Sequence, residues 1–181
     1  MKIDLQKKNI LVTGASRGIG AAISKELGKS GARIAIHYNK EKESAEEIAQ
    51  IIGNDSKIFK ANLQEPVNCE MLFKDVLEEF GHIDVIINNA GTAILSPLDS
   101  ENWVKQWDET MSINLRAVGI LCNLAIKHFK TRKCGRIINI ASRAAFRGDT
   151  AEYLAYAASK AGVVSLSKSI ARAFGKDGIT C

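Results

Sequence analysis

The sequence predicts a three-layer αβα fold built on a parallel, doubly wound sheet, and three observations carry that expectation. Short runs rich in branched apolar residues alternate with amphipathic stretches along the chain. The first run ends in a glycine-rich turn that opens a helix. The run Ile83-Asp-Val-Ile-Ile87 is almost wholly apolar, as a strand covered on both faces should be. In such sheets ligands bind outside the carboxyl ends of the strands, so polar motifs at those ends are the candidate site.

The 181 residues fit a single domain, 1–181, with 46% hydrophobic and 25% charged residues and no internal repeat. The formal charge of +5 comes from 25 Lys and Arg spread without a dense block. No basic stripe with interleaved aromatics points to nucleic acid. The apolar runs fall far short of the roughly 20 residues that span a bilayer. The start, Met1 to Lys8, lacks the apolar centre of a signal peptide, so a cytoplasmic location is expected. Cys69, Cys122, Cys134 and Cys181 show no CxxC pairing, which with three scattered histidines fits reduced thiols and no metal site.

Taken in order, Asn9-Ile-Leu-Val-Thr13 reads as a strand, followed by Gly14-Ala-Ser-Arg-Gly18-Ile-Gly20 and a helix to about Ser30. Glycines let the backbone turn sharply and approach a ligand, while the free N–H groups of the helix start favour a pyrophosphate. Gly31 closes the helix, and Arg33-Ile-Ala-Ile-His-Tyr38 is the second strand. A fold that takes NAD usually ends this strand in a carboxylate for the ribose 2′-hydroxyl. Here stand Asn39 and Lys40, with Arg17 as a second cation in the turn, which favours NADP(H). Lys40 also reads as the first residue of a solvated helix, Lys40 to Ile52.

Ser56 to Ala61 is a third short strand ending in Asn62-Leu63, and Pro66 suits the first turn of a helix reaching Phe80. The fourth strand, Ile83 to Ile87, ends in Asn88-Asn-Ala-Gly91, a composition that suits either a loop lying on a nucleotide or an ordinary turn. Ser100 to about Lys130 reads as one long helix with Asn114 in its apolar middle, either a satisfied structural amide or part of a site. Gly135 and Arg136-Ile-Ile-Asn-Ile140 give a fifth strand with Ser142 just beyond its end. The loop Arg143 to Thr150 then leads into a helix, Tyr153 to Phe174.

That last helix places Tyr156 and Lys160 four residues apart on one face. An ammonium about 4 Å from a phenolate favours the ionised form by roughly 4 kcal/mol at an effective dielectric of about 20. Such a pair suits general acid–base catalysis near neutrality, although many amphipathic helices carry one by chance.

Together, Thr13-Gly14-xxx-Gly18-x-Gly20, Asn88-Asn-Ala-Gly91, Asn114, Ser142 and Tyr156-xxx-Lys160 resemble the short-chain dehydrogenase/reductase superfamily over nearly the whole chain. The resemblance implies a Rossmann-type domain and hydride transfer between NADP(H) and a carbonyl or alcohol. It implies that Tyr156 protonates the carbonyl oxygen, Lys160 favours the phenolate and holds the nicotinamide ribose, Ser142 hydrogen-bonds the carbonyl, and Asn114 organises a water relay. Gly14, Ser16, Arg17, Gly18, Ile19 and Gly20 match the family's phosphate turn. Asn39 and Lys40 match its 2′-phosphate region, Asn62 and Leu63 its adenine pocket, and Asn89, Ala90 and Gly91 its ribose-facing loop, where Tyr156 and Lys160 also meet the cofactor. Position 62 is more often Asp in the family, and Asn keeps an acceptor for the adenine amine.

Within the superfamily, Ser142-Arg-Ala-Ala-Phe-Arg-Gly and Tyr156-Ala-Ala-Ser-Lys160-Ala-Gly look most like 3-oxoacyl-[acyl-carrier-protein] reductases of fatty acid biosynthesis and related sugar-alcohol dehydrogenases. A carrier-protein reductase should present cations at the site entrance. Lys130, Arg132, Lys133, Arg172 and Lys176 are candidates, while Asp177 stands where such reductases often carry a base. The resemblance also implies a homodimer or homotetramer. Because the family continues past Gly178-Ile-Thr-Cys181 with further strands and a substrate lid, a chain shortened at its C-terminus is expected, with the fifth strand near an open edge. A sugar or polyol dehydrogenase, and a nucleotide-binding module without turnover, are the competing readings.

Overall fold

The computed structural model describes residues 3–181, so Met1 and Lys2 of the N-terminal stretch lie outside the described residues. Six strands, β1 (Asn9–Val12), β2 (Arg33–Tyr38), β3 (Lys57–Lys60), β4 (Val85–Asn88), β5 (Gly135–Asn139) and β6 (Ile179–Thr180), form one sheet in the order β3-β2-β1-β4-β5-β6. Every pairing is parallel. The chain leaves β1 toward β2 on one side and later returns to β4 on the other. The carboxyl ends of β1 and β4 therefore flank the switch point at which such sheets bind ligands.

Around the sheet lie α1 (Gly18–Lys29), α2 (Lys42–Ile52), α3 (Pro66–Phe80), α4 (Trp103–Met111), α5 (Ala117–Arg132), α6 (Ala144–Arg147) and α7 (Leu154–Phe174). The two-residue period of a strand divides the core cleanly. Ile10, Val12, Ile34, Ile36 and Ile87 pack with Ala21 of α1 and Ala45 and Ile48 of α2. Their neighbours Leu11, Ala35, Ile86 and Ile137 face the other way, onto Leu72 and Phe73 of α3, Leu121 and Phe129 of α5 and Val163 of α7. Each fully buried side chain of this size contributes roughly 1.5–3 kcal/mol. Two separate hydrophobic layers thus clamp one sheet and leave its carboxyl edge free for polar groups.

Four expectations need correction. The stretch Ser100 to Lys130 is two helices, α4 and α5, joined through a wide π-helical turn at Ser112–Arg116. No Pro or Gly marks that break, because the widening comes from one extra residue per turn and not from a lost hydrogen-bond donor. Lys40 precedes α2, and the amide of Lys42 turns back to the Lys40 carbonyl. At the far edge, β5 is partly covered, since Ile179 and Thr180 pair with Gly135 and Arg136. Further along β5, Ile138 stays 39% exposed. The loop after Ser142 also contains the short helix α6.

Candidate active site

The glycine turn is welded to the loop that follows β4. The hydroxyl oxygen of Thr13 accepts the backbone amides of Asn89 and Ala90, each at 3.0 Å. The Asn89 side-chain amide donates to the carbonyls of Thr13 at 2.9 Å and Gly14 at 3.0 Å. Gly14 has φ +62, and a Cβ there would lie 2.9 Å from the Ala90 Cα. Only glycine allows both the left-handed backbone and the close approach. At the start of α1 no side chain caps the helix and no acidic residue sits in the first turn. Its free N–H groups form a cradle for an anion, which fits a dinucleotide pyrophosphate.

A cavity of about 540 Å³ opens beside this turn. That volume suits a cofactor-sized ligand. Gly14, Ser16, Arg17, Gly18 and Ile19 line it from the turn, and Asn39 and Lys40 from the end of β2. Asn62 and Leu63 line it after β3, and Asn89, Ala90 and Gly91 after β4. Residues from four separate strand ends thus line one cavity. Gly20 is different, because it does not line the cavity and a Cβ on it would collide with the Gly14 carbonyl and the Asn89 amide. Its task is to let α1 pack onto the turn.

Five lining residues escaped the sequence reading: His37, Glu41, Ala61, Thr92 and Ile113. Four adjoin or lie close to residues already singled out at strand ends, so position was the available signal. Ile113 enters from the π-helical turn, which no residue pattern announced. His37 is 3% exposed, and its Nδ1 accepts the Gly14 amide at 2.9 Å while its Nε2 lies 3.1 Å from the Ala61 carbonyl. These partners require a neutral ring protonated on Nε2. Burial agrees, pushing its pKa down to about 4.

The four residues expected to do chemistry lie at the β4 and β5 end of this region. Asn114, fully buried in the π-helical turn, accepts the Thr92 amide and donates to the Thr92 carbonyl, both at 2.8 Å. Its second amide proton goes to Ser159 Oγ at 3.1 Å. The donors of Asn114 are thus spent on structure, while Oδ1 retains a lone pair. Lys160, buried on α7, donates to the Ile140 carbonyl at 2.8 Å, and its Nζ lies 5.9 Å from the Tyr156 ring centre. Burial pushes the pKa of this ammonium down.

Gly91 links the two ends of the site. A Cβ built there would lie 3.2 Å from Asn114 Oδ1 and 3.5 Å from Lys160 Nζ, and Gly91 itself lines the cavity. Tyr156 and Lys160, expected to meet the cofactor, do not line the cavity; Lys160 reaches Gly91 from α7, with the Tyr156 ring beside it. Ser142, two residues beyond Ile140, accepts the Ala144 amide through Oγ at 3.2 Å, which fixes its hydroxyl at the mouth of α6.

The candidate carrier-binding cations are not at this entrance. Lys130, Arg132 and Lys133 precede β5, and Arg172 and Lys176 precede β6, which places them at the amino ends of the strands. A five-residue strand separates the two ends by about 16 Å. Arg132 is in addition paired to Asp84 at 3.1 Å. Among the described residues no helix is long and apolar enough to cross a membrane, and no cluster of three metal-ligating side chains occurs.

Comparison with known proteins agrees with this fold. The 3-oxoacyl-[acyl-carrier-protein] reductase FabG of Staphylococcus aureus is 35% identical over 179 residues, covering 96% of this chain and 71% of that enzyme. The 3beta-hydroxysteroid dehydrogenase 1 of Eggerthella lenta is 34% identical over 180 residues, covering 97% and 68%. A short chain dehydrogenase from Burkholderia cenocepacia, solved in complex with NADP, superposes with a TM-score of 0.90 at 37% identity, over 97% of this chain and 72% of that one. A metagenomic short-chain oxidoreductase, also solved with NADP, gives 0.90 at 32% identity, over 97% and 80%. Residues 8–181 match the family described as short chain dehydrogenase, and the chain belongs to that family.

Proposed function

We propose that the chain is an NADP(H)-dependent carbonyl reductase in which Tyr156 is the proton donor. The observation that carries this reading is the convergence at Gly91. One cavity runs from Arg17, Asn39 and Lys40 to Gly91, and the Lys160 ammonium and Asn114 meet Gly91 from behind. When bound, the nicotinamide supplies hydride to the carbonyl carbon. The amides at the start of α1 hold the pyrophosphate, and Arg17 and Lys40 meet a 2′-phosphate. Lys160 holds positive charge beside the phenol and offers its remaining protons to the ribose. Ser142 donates to the substrate oxygen, and the Tyr156 phenol passes its proton to that oxygen as it becomes an alcohol. The Asn114 Oδ1 lone pair beside Gly91 accepts a water that returns the proton.

The substrate proposed is a 3-oxoacyl thioester. Support comes from the likeness to FabG and from two exposed cations on the correct side, Arg143 and Arg147, which follow Ser142 and bracket exposed Phe146. These replace the cations at the far end as the surface for an acidic carrier protein. Assembly as a dimer or tetramer in the cytoplasm completes the reading, and sedimentation tests the oligomer. The deciding experiment follows NADPH oxidation with acetoacetyl thioesters, a steroid ketone and simple ketones, for wild type and Tyr156→Phe. Thioester turnover lost in Tyr156→Phe is expected. Equal turnover by both proteins overturns the role of Tyr156, and preference for another ketone overturns the substrate class.

A further inference from the structure

We propose that His37 is a positioning residue for the cofactor, which sets the glycine turn by holding the Gly14 amide from beneath. This rests on the cavity being the NADP(H) site. Two bonds tie the turn to His37, Gly14 N–H to Nδ1 at 2.9 Å and Ala15 N–H to the His37 carbonyl at 2.8 Å, and a third, Nε2–H to the Ala61 carbonyl at 3.1 Å, anchors the ring to the end of β3. The ring is 3% exposed yet forms part of the cavity wall, between the phosphate cradle and the adenine side.

The direction of the Gly14 amide matters. Because it points down into the imidazole, the anion-binding task falls to the amides at the start of α1, and the turn is held in the shape that presents them. From above, Ala90 lies 2.9 Å from where a Gly14 Cβ would be, so Gly14 is gripped on two sides. The Ala61 carbonyl has a different task. It accepts only, so it keeps the proton on Nε2 and leaves Nδ1 free to accept. Without an acceptor at Nδ1 the Gly14 amide is orphaned and the turn relaxes away from the phosphate-binding shape.

Two near-isosteres separate these tasks. In His37→Asn the side-chain oxygen sits close to where Nδ1 was and keeps the Gly14 acceptor. In His37→Gln the amide reaches toward Ala61 and abandons Gly14. NADPH affinity is measured by calorimetry on the full chain for wild type, His37→Asn, His37→Gln and His37→Phe, with melting temperatures alongside. His37→Asn is expected within about threefold of wild type, and His37→Gln and His37→Phe weaker by about tenfold or more. All three variants lose a buried bond, so a purely structural role would lower affinity in step with melting temperature. Binding losses that follow melting temperature and do not spare His37→Asn overturn the proposal, as does unchanged binding in all three. A wild-type chain that binds no NADPH overturns the cofactor reading itself.

Discussion

Asn114 and Thr92 exchange two hydrogen bonds of 2.8 Å, side-chain amide to carbonyl and backbone amide to side-chain oxygen. One residue of the π-helical turn thereby completes the backbone pairing of the loop after β4. Replacing Asn114 by Ala orphans both Thr92 groups, at about 1–3 kcal/mol for a half-buried pair. Urea unfolding of Asn114→Ala should show a loss of about 2 kcal/mol in addition to any loss of turnover. Unaltered stability would mean that the amide is spent on chemistry alone.

Gly20 and Gly18 stand two residues apart and should respond very differently to alanine. A Cβ on Gly20 meets the Gly14 carbonyl and the Asn89 amide, so Gly20→Ala pushes α1 off the turn. Gly18 has φ +55 but open space around it, so Gly18→Ala costs only the left-handed backbone, about 1 kcal/mol. Thermal melts should rank Gly20→Ala as the less stable of the two. The reverse order would show that the turn is looser than the contacts imply.

Much of this was legible in the sequence because strand-turn-helix boundaries are written in residue type. The run Asn9 to Gly20 announces a branched strand, a glycine turn and a helix, and β2 and Pro66 fall where the sequence places them. The rest depends on partners distant along the chain. The partners of Asn114 are Thr92 and Ser159, and those of His37 are Gly14 and Ala61. Likewise, the cations before β5 and β6 look adjacent to the site in sequence, yet chain direction puts them at the other end of the sheet.

Lys160 should prove a burden on stability. Burial lowers its pKa below 10.5, so the unfolded chain holds this proton more tightly than the folded one. That cost is complete below the lowered value and is relieved as the pH rises through it toward 10.5. Lys160→Met removes the buried charge and keeps the volume. It should therefore melt no lower than wild type at neutral pH while losing ketone reduction, and a drop of several degrees would show that the Ile140 contact outweighs desolvation.

His37 gives stability a dependence on acid. Its pKa falls from 6.5 to about 4 on folding, so the unfolded state gains a proton first as the pH drops. Stability from this residue is intact above pH 6.5 and is lost down to about pH 4, by roughly 3 kcal/mol in total. The charged groups sharing its cavity are Arg17, Lys40 and Glu41, and its register partner Phe59 is uncharged. Urea unfolding from pH 7 to pH 4 should show a shallower decline in His37→Asn. Parallel curves would place the acid sensitivity elsewhere.

Cofactor choice should follow charge at the open end of the cavity. Arg17 and Lys40 are exposed, approach from the turn and from the end of β2, and among the described residues neither forms an ion pair. A 2′-phosphate would bring them a partner, whereas a 2′-hydroxyl brings no charge. Each such contact at a wet surface is worth about 1 kcal/mol, so Lys40→Ala should weaken NADPH several-fold and leave NADH unchanged. Raising salt should weaken NADPH more than NADH, because only the former depends on screened charge. Glu41 lines the same cavity and opposes the phosphate, so Glu41→Gln should tighten NADPH modestly. Asn39→Asp supplies the carboxylate that a ribose 2′-hydroxyl prefers and repels a phosphate, and it should move the chain toward NADH. If all three changes alter NADPH and NADH binding in equal proportion, selectivity does not reside in these side chains.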